Sequence, residues 1–228
     1  MSGASDNGTG VRIPLQRMLE QDVGLPDLSL RVARARDLVN VTAVIASAVD
    51  AWQAPARLKR CVVPVLAYDE VDLTDHEVLL VSEASRPIAV AAWQLDAHLV
   101  DPHGRISTLL HGLFVAESAQ RRGLGQWLQT VVARRARQAG FHGLHVRAER
   151  FAVSYFAGCG FQRLGADAQP AGGGAVYPYW FWKECADIER WCSAEPGQAT
   201  GAAANEPARN SLIGHSTIDG DPGCIASR

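Results

Sequence analysis

The sequence predicts one mixed α/β domain, a central sheet flanked by helices, and three observations carry that expectation. The first is the order of hydrophobic periods over residues 28–183, which reads β-α-α-β-β-β-α-β-α-β. That order is not the strict βαβ alternation of a wholly parallel sheet. The second is the stretch Leu109–Gly140, a short apolar strand followed by a glycine-containing loop that opens an amphipathic helix. The third is composition: 47% hydrophobic and 20% charged residues over 228 positions are ordinary values for a chain that buries a full core.

Each element has a local reason. Leu28-Ser29-Leu30-Arg31-Val32 alternates as a strand. Asp37 then stands where a cap is expected, before a helical run with Leu38, Val41, Val44 and Ile45 on one face. Pro55 is placed to start a second helical piece through Leu58, and Pro64 to end it. Val78–Val81 and Ile88–Trp93 flank Ser85-Arg86-Pro87 and so predict a hairpin. Leu109–Ala116 is the next strand, and the helix after it carries Leu124, Trp127, Leu128 and Val131 on one face, closed by Gly140. A strand over Leu144–Ala148, a short helix over Phe151–Gly158 and a closing strand over Ala175–Lys183 complete the order.

Residues 1–27 read as an extension, partly disordered, with one apolar patch from Val11 to Leu19 that fits a short helix; 28–192 read as the folded domain. From Ser193 the chain turns to Gly, Ala, Ser, Asn and Pro, and this low-complexity tail has too little apolar surface to offset its ordering entropy. The formal net charge of −2 gives no electrostatic case for nucleic acid or an anionic membrane. The opening MSGASDNGTG lacks the basic start and apolar run of a secretory signal, and Val41–Val49 is too short to span a bilayer. Five cysteines without a C-x-x-C pair predict reduced thiols in a cytoplasmic protein and no metal site.

Chemistry concentrates in Gln120-Arg121-Arg122-Gly123-Leu124-Gly125-Gln126. A helix N-terminus offers unpaired N–H donors and the positive pole of the macrodipole, and two glycines let a ligand approach the backbone. The arrangement suits a phosphate or pyrophosphate. It is not a P-loop, which needs G-x-x-x-x-G-K-S/T, because Gln126 and Trp127 follow Gly125. Nor is it a dinucleotide fingerprint, because Leu128 stands where the third glycine belongs.

The run Q-R-R-G-L-G after Leu113-Phe114-Val115 resembles motif A (Q/R-x-x-G-x-G/A) of the GNAT superfamily of N-acetyltransferases. Ala148–Phe161, AERFAVSYFAGCGF, resembles its motif B, and Tyr177–Lys183 resembles the closing strand of members that end in P-H-x-x-M/W-K. The resemblance runs from about Leu28 to Glu184. It implies a mixed sheet with splayed strands and acetyl-CoA as acyl donor. Backbone at Leu113, Phe114 and Val115 would bind pantetheine, and the loop Gln120, Arg121, Arg122, Gly123, Leu124, Gly125 and Gln126 would hold the pyrophosphate. It implies transfer to an amine without a metal, leaves the acceptor open and allows a homodimer.

The motif also departs from the family. Counted back from Gly160-Phe161, the slot of the family's thiolate-protonating tyrosine holds Phe156, with Tyr155 one place earlier. One residue is about 100° of helix rotation, so Tyr155 is expected to face elsewhere in the family register. Tyr155 is then either the acid in a shifted register or a packing residue. His111, whose reference pKa lies near neutrality, is the candidate base, with a hydrogen-bonded sheet histidine as the alternative. Tyr179 stands where relatives carry the histidine of P-H and is a candidate for the acceptor pocket. Glu149 either meets substrate or caps the short helix. Trp52, Trp93 and Tyr68 are either pocket walls or core, the loop Gly165–Gly174 is expected to close over the acceptor, and Arg134, Arg135 and Arg137 read as a solvated face. Against the enzyme stands a degenerate CoA-binding sensor, for which the missing tyrosine is the argument.

Overall fold

The computed structural model describes residues 28–97, 99–165, 169 and 179–193, the last three by backbone only. The described elements are β1 (Leu28–Val32), α1 (Leu38–Asp50), α2 (Ala56–Leu66), α3 (Asp72–Asp75), β2 (His76–Glu83), β3 (Arg86–Gln94), β4 (Leu99–Val100), β5 (Ile106–Val115), α4 (Leu124–Gln138), β6 (Gly143–Ala148), α5 (Val153–Gly158), β7 (Gln162–Arg163), β8 (Tyr179–Glu184) and α6 (Cys185–Ser193). The sheet order is β1-β2-β3-β5-β6-β8-β7, with β4 on β5. All pairings are antiparallel except β5–β6, which the helix α4 connects in the crossover that a parallel pair requires. This is the predicted mixed sheet flanked by helices.

The core has two main faces. Leu124, Leu128, Val131 and Val132 of α4 pack on Leu79, Leu110, Leu144 and Phe181 of the sheet, while Val41, Ile45 and Val49 of α1 cover Val78, Leu80 and Val90 on the other side. The helical period of the apolar residues thus determines which side of the sheet each helix covers. Helix α4 ends as its glycine predicts: Gly140 has φ +95°, its N–H donates to Arg137 O at 3.0 Å, and Phe141 N–H donates to Ala136 O at 2.9 Å. This is a Schellman closure.

Several local expectations change. Asp37 does not cap α1 with its side chain; its carboxylate takes a two-pronged bond from Arg31 and another from Arg34 N–H at 2.9 Å, and the Arg31 guanidinium holds its pKa down to about 2. Pro64 lies inside α2 rather than ending it. The hairpin turns at Ala84 and Ser85, both at positive φ as in a type I′ turn, so Arg86 and Pro87 already belong to β3. Arg135 and Arg137 are not merely solvated, since they pair with Glu77 and Glu189. The short β4, β7, α3 and α6 have no predicted counterpart. The Val11–Leu19 patch, the tail beyond Ser193, residues 175–178 of the closing strand and nearly all of the Gly165–Gly174 loop lie outside the described residues.

His145 of β6 is fully buried against Trp180, and burial pushes its pKa down to about 4. The unfolded chain takes up this proton near pH ~6.5 and the folded chain resists it. The stability that His145 contributes is therefore complete above that pH and is lost as pH falls towards about 4. Denaturant midpoints are expected to be lower at about pH 5 than at about pH 7.5, and His145→Leu is expected to narrow the gap.

Candidate active site

The site begins with a seam that opens. Strands β5 and β6 pair only from Ser107–Leu110 to Gly143–Val146, although β5 continues to Val115 and β6 to Ala148. Past Leu110 the two strands diverge, and the backbone of β5 on that side has no strand partner. Into the gap opens a cleft of about 880 Å³. Its floor includes Leu113, Phe114 and Val115, and Arg147, Glu149 and Phe151 form the β6 side. Trp52, Leu66 and Tyr68 line it from the connections around α2. Trp52 and Phe151 stack across it at 5.1 Å between centroids.

The loop closes one end of the cleft. Gly123 is the N-cap of α4 with φ +81°, a conformation that side chains disfavour, and no atom lies within 4 Å of where its Cβ would be. Gln120, Arg121, Gly123, Leu124, Gly125 and Gln126 line the cleft. The side chain of Leu124 is 1% exposed in the core, so it offers only its backbone. Arg122 departs from expectation. It forms a two-pronged pair with Glu83 at the end of β2 and is not among the described lining residues. The carboxylate at the hairpin end draws it away, and Arg121 is the loop's cleft-facing cation.

Gly125 has a role that its spacing did not reveal. A Cβ there would stand 2.5 Å from the Tyr155 hydroxyl. Tyr155 borders the cleft, with its hydroxyl set on the first turn of α4, where it accepts a bond from Gln129 Nε2 at 3.0 Å. Burial, with Cys159 beside it, pushes the phenol further above its usual range, so the O–H keeps its proton. Phe156 is 5% exposed and packs on Phe161 and Phe181 at 5.4 and 6.1 Å. The residue in the family's tyrosine slot is thus a core residue at the cleft wall, and Tyr155 serves the loop end. Tyr155→Phe, which deletes one bond to Gln129, is expected to change turnover less than about 10-fold; steady-state rates check this.

His111 sits at the opposite end, on a β-bulge: Ala92 pairs with Gly112 and Trp93 with Leu110, leaving His111 as the extra residue. A bulge re-aims a side chain out of the ladder, and here the imidazole faces the cleft. Tyr68 Oη lies 3.0 Å from His111 Nδ1, and the His76 ring is 4.5 Å from that of His111. Its walled position, then the nearby His76 and Arg147, push the His111 pKa down to about 4. The imidazole is neutral at physiological pH and able to accept a proton. Glu149 also faces the cleft; it holds the cap position of the turn Arg150–Ala152 without a side-chain capping bond, and burial raises its pKa.

Tyr179 is not brought to this end. It pairs with Ala148 at the start of β8 under the Arg163 guanidinium, 5.0 Å away, and the described lining residues do not include it. The neighbours of His111 come from distant parts of the sequence: Tyr68 is 43 residues away, and no local spacing links either it or His76 to β5. Trp52 is a cleft wall as well as a packing residue, whereas Trp93 is 3% exposed and belongs to the core. Among the described residues no group of three or more His, Cys, Asp or Glu is arranged to hold a metal, and no helix is long and apolar enough to cross a membrane.

Residues 68–176 match the family model of the acetyltransferase (GNAT) domain. No curated protein matches the chain. Among solved structures, PaiA N-acetyltransferase from Thermoplasma acidophilum, in complex with coenzyme A, is 13% identical with a TM-score of 0.54, over 69% of this chain and 98% of that one. A GCN5-related N-acetyltransferase from Rhodopseudomonas palustris is 18% identical at a TM-score of 0.52, over 69% and 96%. The GNAT-family acetyltransferase of Staphylococcus aureus Mu50 is 9% identical at 0.52, over 69% and 99%. At such identities the likeness is one of fold. The family match takes in the loop, the splayed strands and the helix that joins them, so residues 68–176 carry an acetyltransferase domain of the GNAT type.

Proposed function

We propose that the protein transfers an acetyl group from acetyl-CoA to a primary amine by direct attack in a ternary complex. The observation that carries this reading is the continuity of the cleft. One cavity runs from the N-terminus of α4, past the unpaired edge of β5, to His111. Pyrophosphate at the loop, pantetheine along Leu113–Val115 and an amine beside His111 would share one space, so no covalent acyl-enzyme is required. The structural neighbour from Thermoplasma acidophilum is a coenzyme A complex, which supports this donor.

The physical chemistry of the step sets what the residues must do. An alkyl ammonium with pKa near ~10.4 is neutral in roughly one part in a few thousand at pH 7. Holding donor and acceptor in line supplies about 7–11 kcal/mol, and free backbone N–H groups on the splayed β5 edge suit the carbonyl oxygen as it gains charge. His111, held neutral by its surroundings, takes the proton that the amine nitrogen sheds as it bonds to the acyl carbon. Glu149 is the cleft's carboxylate, and it attracts the arriving ammonium when ionised. The Trp52–Phe151 wall favours an acceptor with an apolar body. Buried free thiols at Cys159 and Cys185 fit a cytoplasmic location.

One observation favours the sensor reading. Phe156, in the family's tyrosine slot, has no proton to give, and the Tyr155 hydroxyl stands over the first turn of α4 beside Gly125 and Gln129. CoA would then leave as a thiolate protonated by water. The test is to mix the protein with acetyl-CoA and a panel of amines, polyamines and amino acids and to follow free thiol. Amine-dependent thiol release is the expected result. Tight CoA binding with no turnover on any amine would favour the sensor.

A further inference from the structure

We propose that Tyr68 is a positioning residue for His111: its hydroxyl oxygen accepts the Nδ1 proton of the imidazole and leaves Nε2 bare towards the cleft. The proposal rests on the reading of His111 as base.

Three pieces of geometry carry it. Tyr68, in the segment between α2 and α3, is 6% exposed, and its Oη stands 3.0 Å from His111 Nδ1. The same hydroxyl fills the space over Gly112, where a Cβ would be 2.3 Å away, so β5 approaches Tyr68 this closely because residue 112 is glycine. Consecutive residues of a regular strand point to opposite faces. His111 and Gly112 meet one hydroxyl because the bulge interrupts that alternation. Bulge, glycine and tyrosine form one fitted unit around the imidazole.

The choice of tautomer follows from what each one can do. If Tyr68 donated to Nδ1, the proton would sit on Nε2 and the nitrogen open to the cleft would have no lone pair. With Nδ1–H donating to Tyr68 Oη, Nε2 keeps its lone pair. The charged and titratable groups around the ring agree with a base that is neutral before the reaction. His76 of β2 is 4.5 Å away between centroids and donates its Nδ1–H to Asp72 O at 3.1 Å; Arg147 comes from β6, and only Asp72 of α3 favours a charge on His111.

Atoms balance in the step that this serves. The ammonium first loses one proton to water. The amine nitrogen then bonds to the acyl carbon and, made acidic by that bond, gives a second proton to Nε2 as the carbon–sulfur bond breaks, and the thiolate takes a proton from water. The products are an amide, a thiol and an imidazolium whose Nδ1–H remains on Tyr68; its Nε2 proton is then lost to water in the cleft.

Ring-labelled histidine in the full chain tests the proposal, because ¹⁵N shifts separate a protonated from a bare ring nitrogen. In the wild-type protein His111 is expected to carry its proton on Nδ1. Tyr68→Phe, which keeps the ring and deletes only the oxygen, is expected to mix the two tautomers. It should also lower kcat on the order of 10-fold, leave CoA affinity near wild type and move the acid limb of the rate profile to lower pH. Gly112→Ala, whose Cβ would meet both the Tyr68 hydroxyl at 2.3 Å and the Phe114 ring at 2.8 Å, is also expected to mix the tautomers. An Nε2–H tautomer in the wild-type protein, or unchanged tautomer and rate in Tyr68→Phe, overturns the proposal. Wild-type turnover in His111→Ala instead removes the base reading, a distinct failure, since the tautomer measurement stands without it.

Discussion

His111→Ala is expected to lower turnover by about 10²- to 10³-fold, the usual scale for a lost general base, with CoA affinity near wild type. The imidazole lies away from the loop at the start of α4, so its loss is expected to spare the contacts proposed for the donor. The pH dependence separates a base from a packing residue. The cleft walls around a ring that stays open to solvent, with His76 and Arg147 nearby, push the His111 pKa down, to about 4. The residue is therefore competent above that pH, and the rate it supports falls as pH drops through it. In His111→Ala that limb should vanish, and the remaining slow rate should follow the ionisation of the amine alone. Rate profiles of kcat/KM for both proteins check this; a variant with the wild-type rate and limb would remove His111 from the chemistry.

Gly125→Asp is expected to weaken CoA binding by about 100-fold or more, roughly 2.7 kcal/mol. Two effects act together. The new Cβ would stand 2.5 Å from the Tyr155 hydroxyl and force that ring or the first turn of α4 to move. The new carboxylate would also stand where the pyrophosphate is expected. An acid in the first turn of a helix is favourable to the helix itself, so weaker binding is expected without unfolding. Gly125→Asn supplies similar bulk without charge and should lie between wild type and Gly125→Asp. Calorimetric titration with CoA, beside thermal melts of each variant, separates the two contributions. Wild-type affinity in Gly125→Asp would falsify the placement of the pyrophosphate.

The sequence was most informative where a residue's role is local. The apolar period of α4, the glycine that ends it and the loop that opens it involve neighbours in the chain, and the structure forms each of them. It was least informative where two distant segments meet. Arg122 looked like the natural partner of Arg121 until Glu83, 39 residues away, drew it off the cleft. The family register pointed to Phe156 as a residue in an active slot, and it is instead part of an aromatic cluster with Phe161 and Phe181. The bulge at His111 depends on how β5 aligns with β3, which no run of ten residues encodes. Asp37 shows the same limit on a smaller scale: a good capping residue was claimed by Arg31 on the neighbouring strand.

The short pairing between β5 and β6 has a mechanical consequence. Strands β1, β2, β3 and β5 form one antiparallel half of the sheet, and β6, β8 and β7 form the other. Four residues on each side hold the halves edge to edge, from Ser107–Leu110 to Gly143–Val146, and beyond them the edges part like an unbuttoned collar. A donor lying in the gap with its amide arm along β5 would take the place of missing rungs and fasten the two halves together. Occupancy then adds cohesion to the whole sheet, amounting to about 2.7 kcal/mol when free ligand is 100-fold above its Kd. The amide protons of β5 past Leu110 that face the gap should exchange faster than those facing β3 in the empty protein and slow most when it is filled.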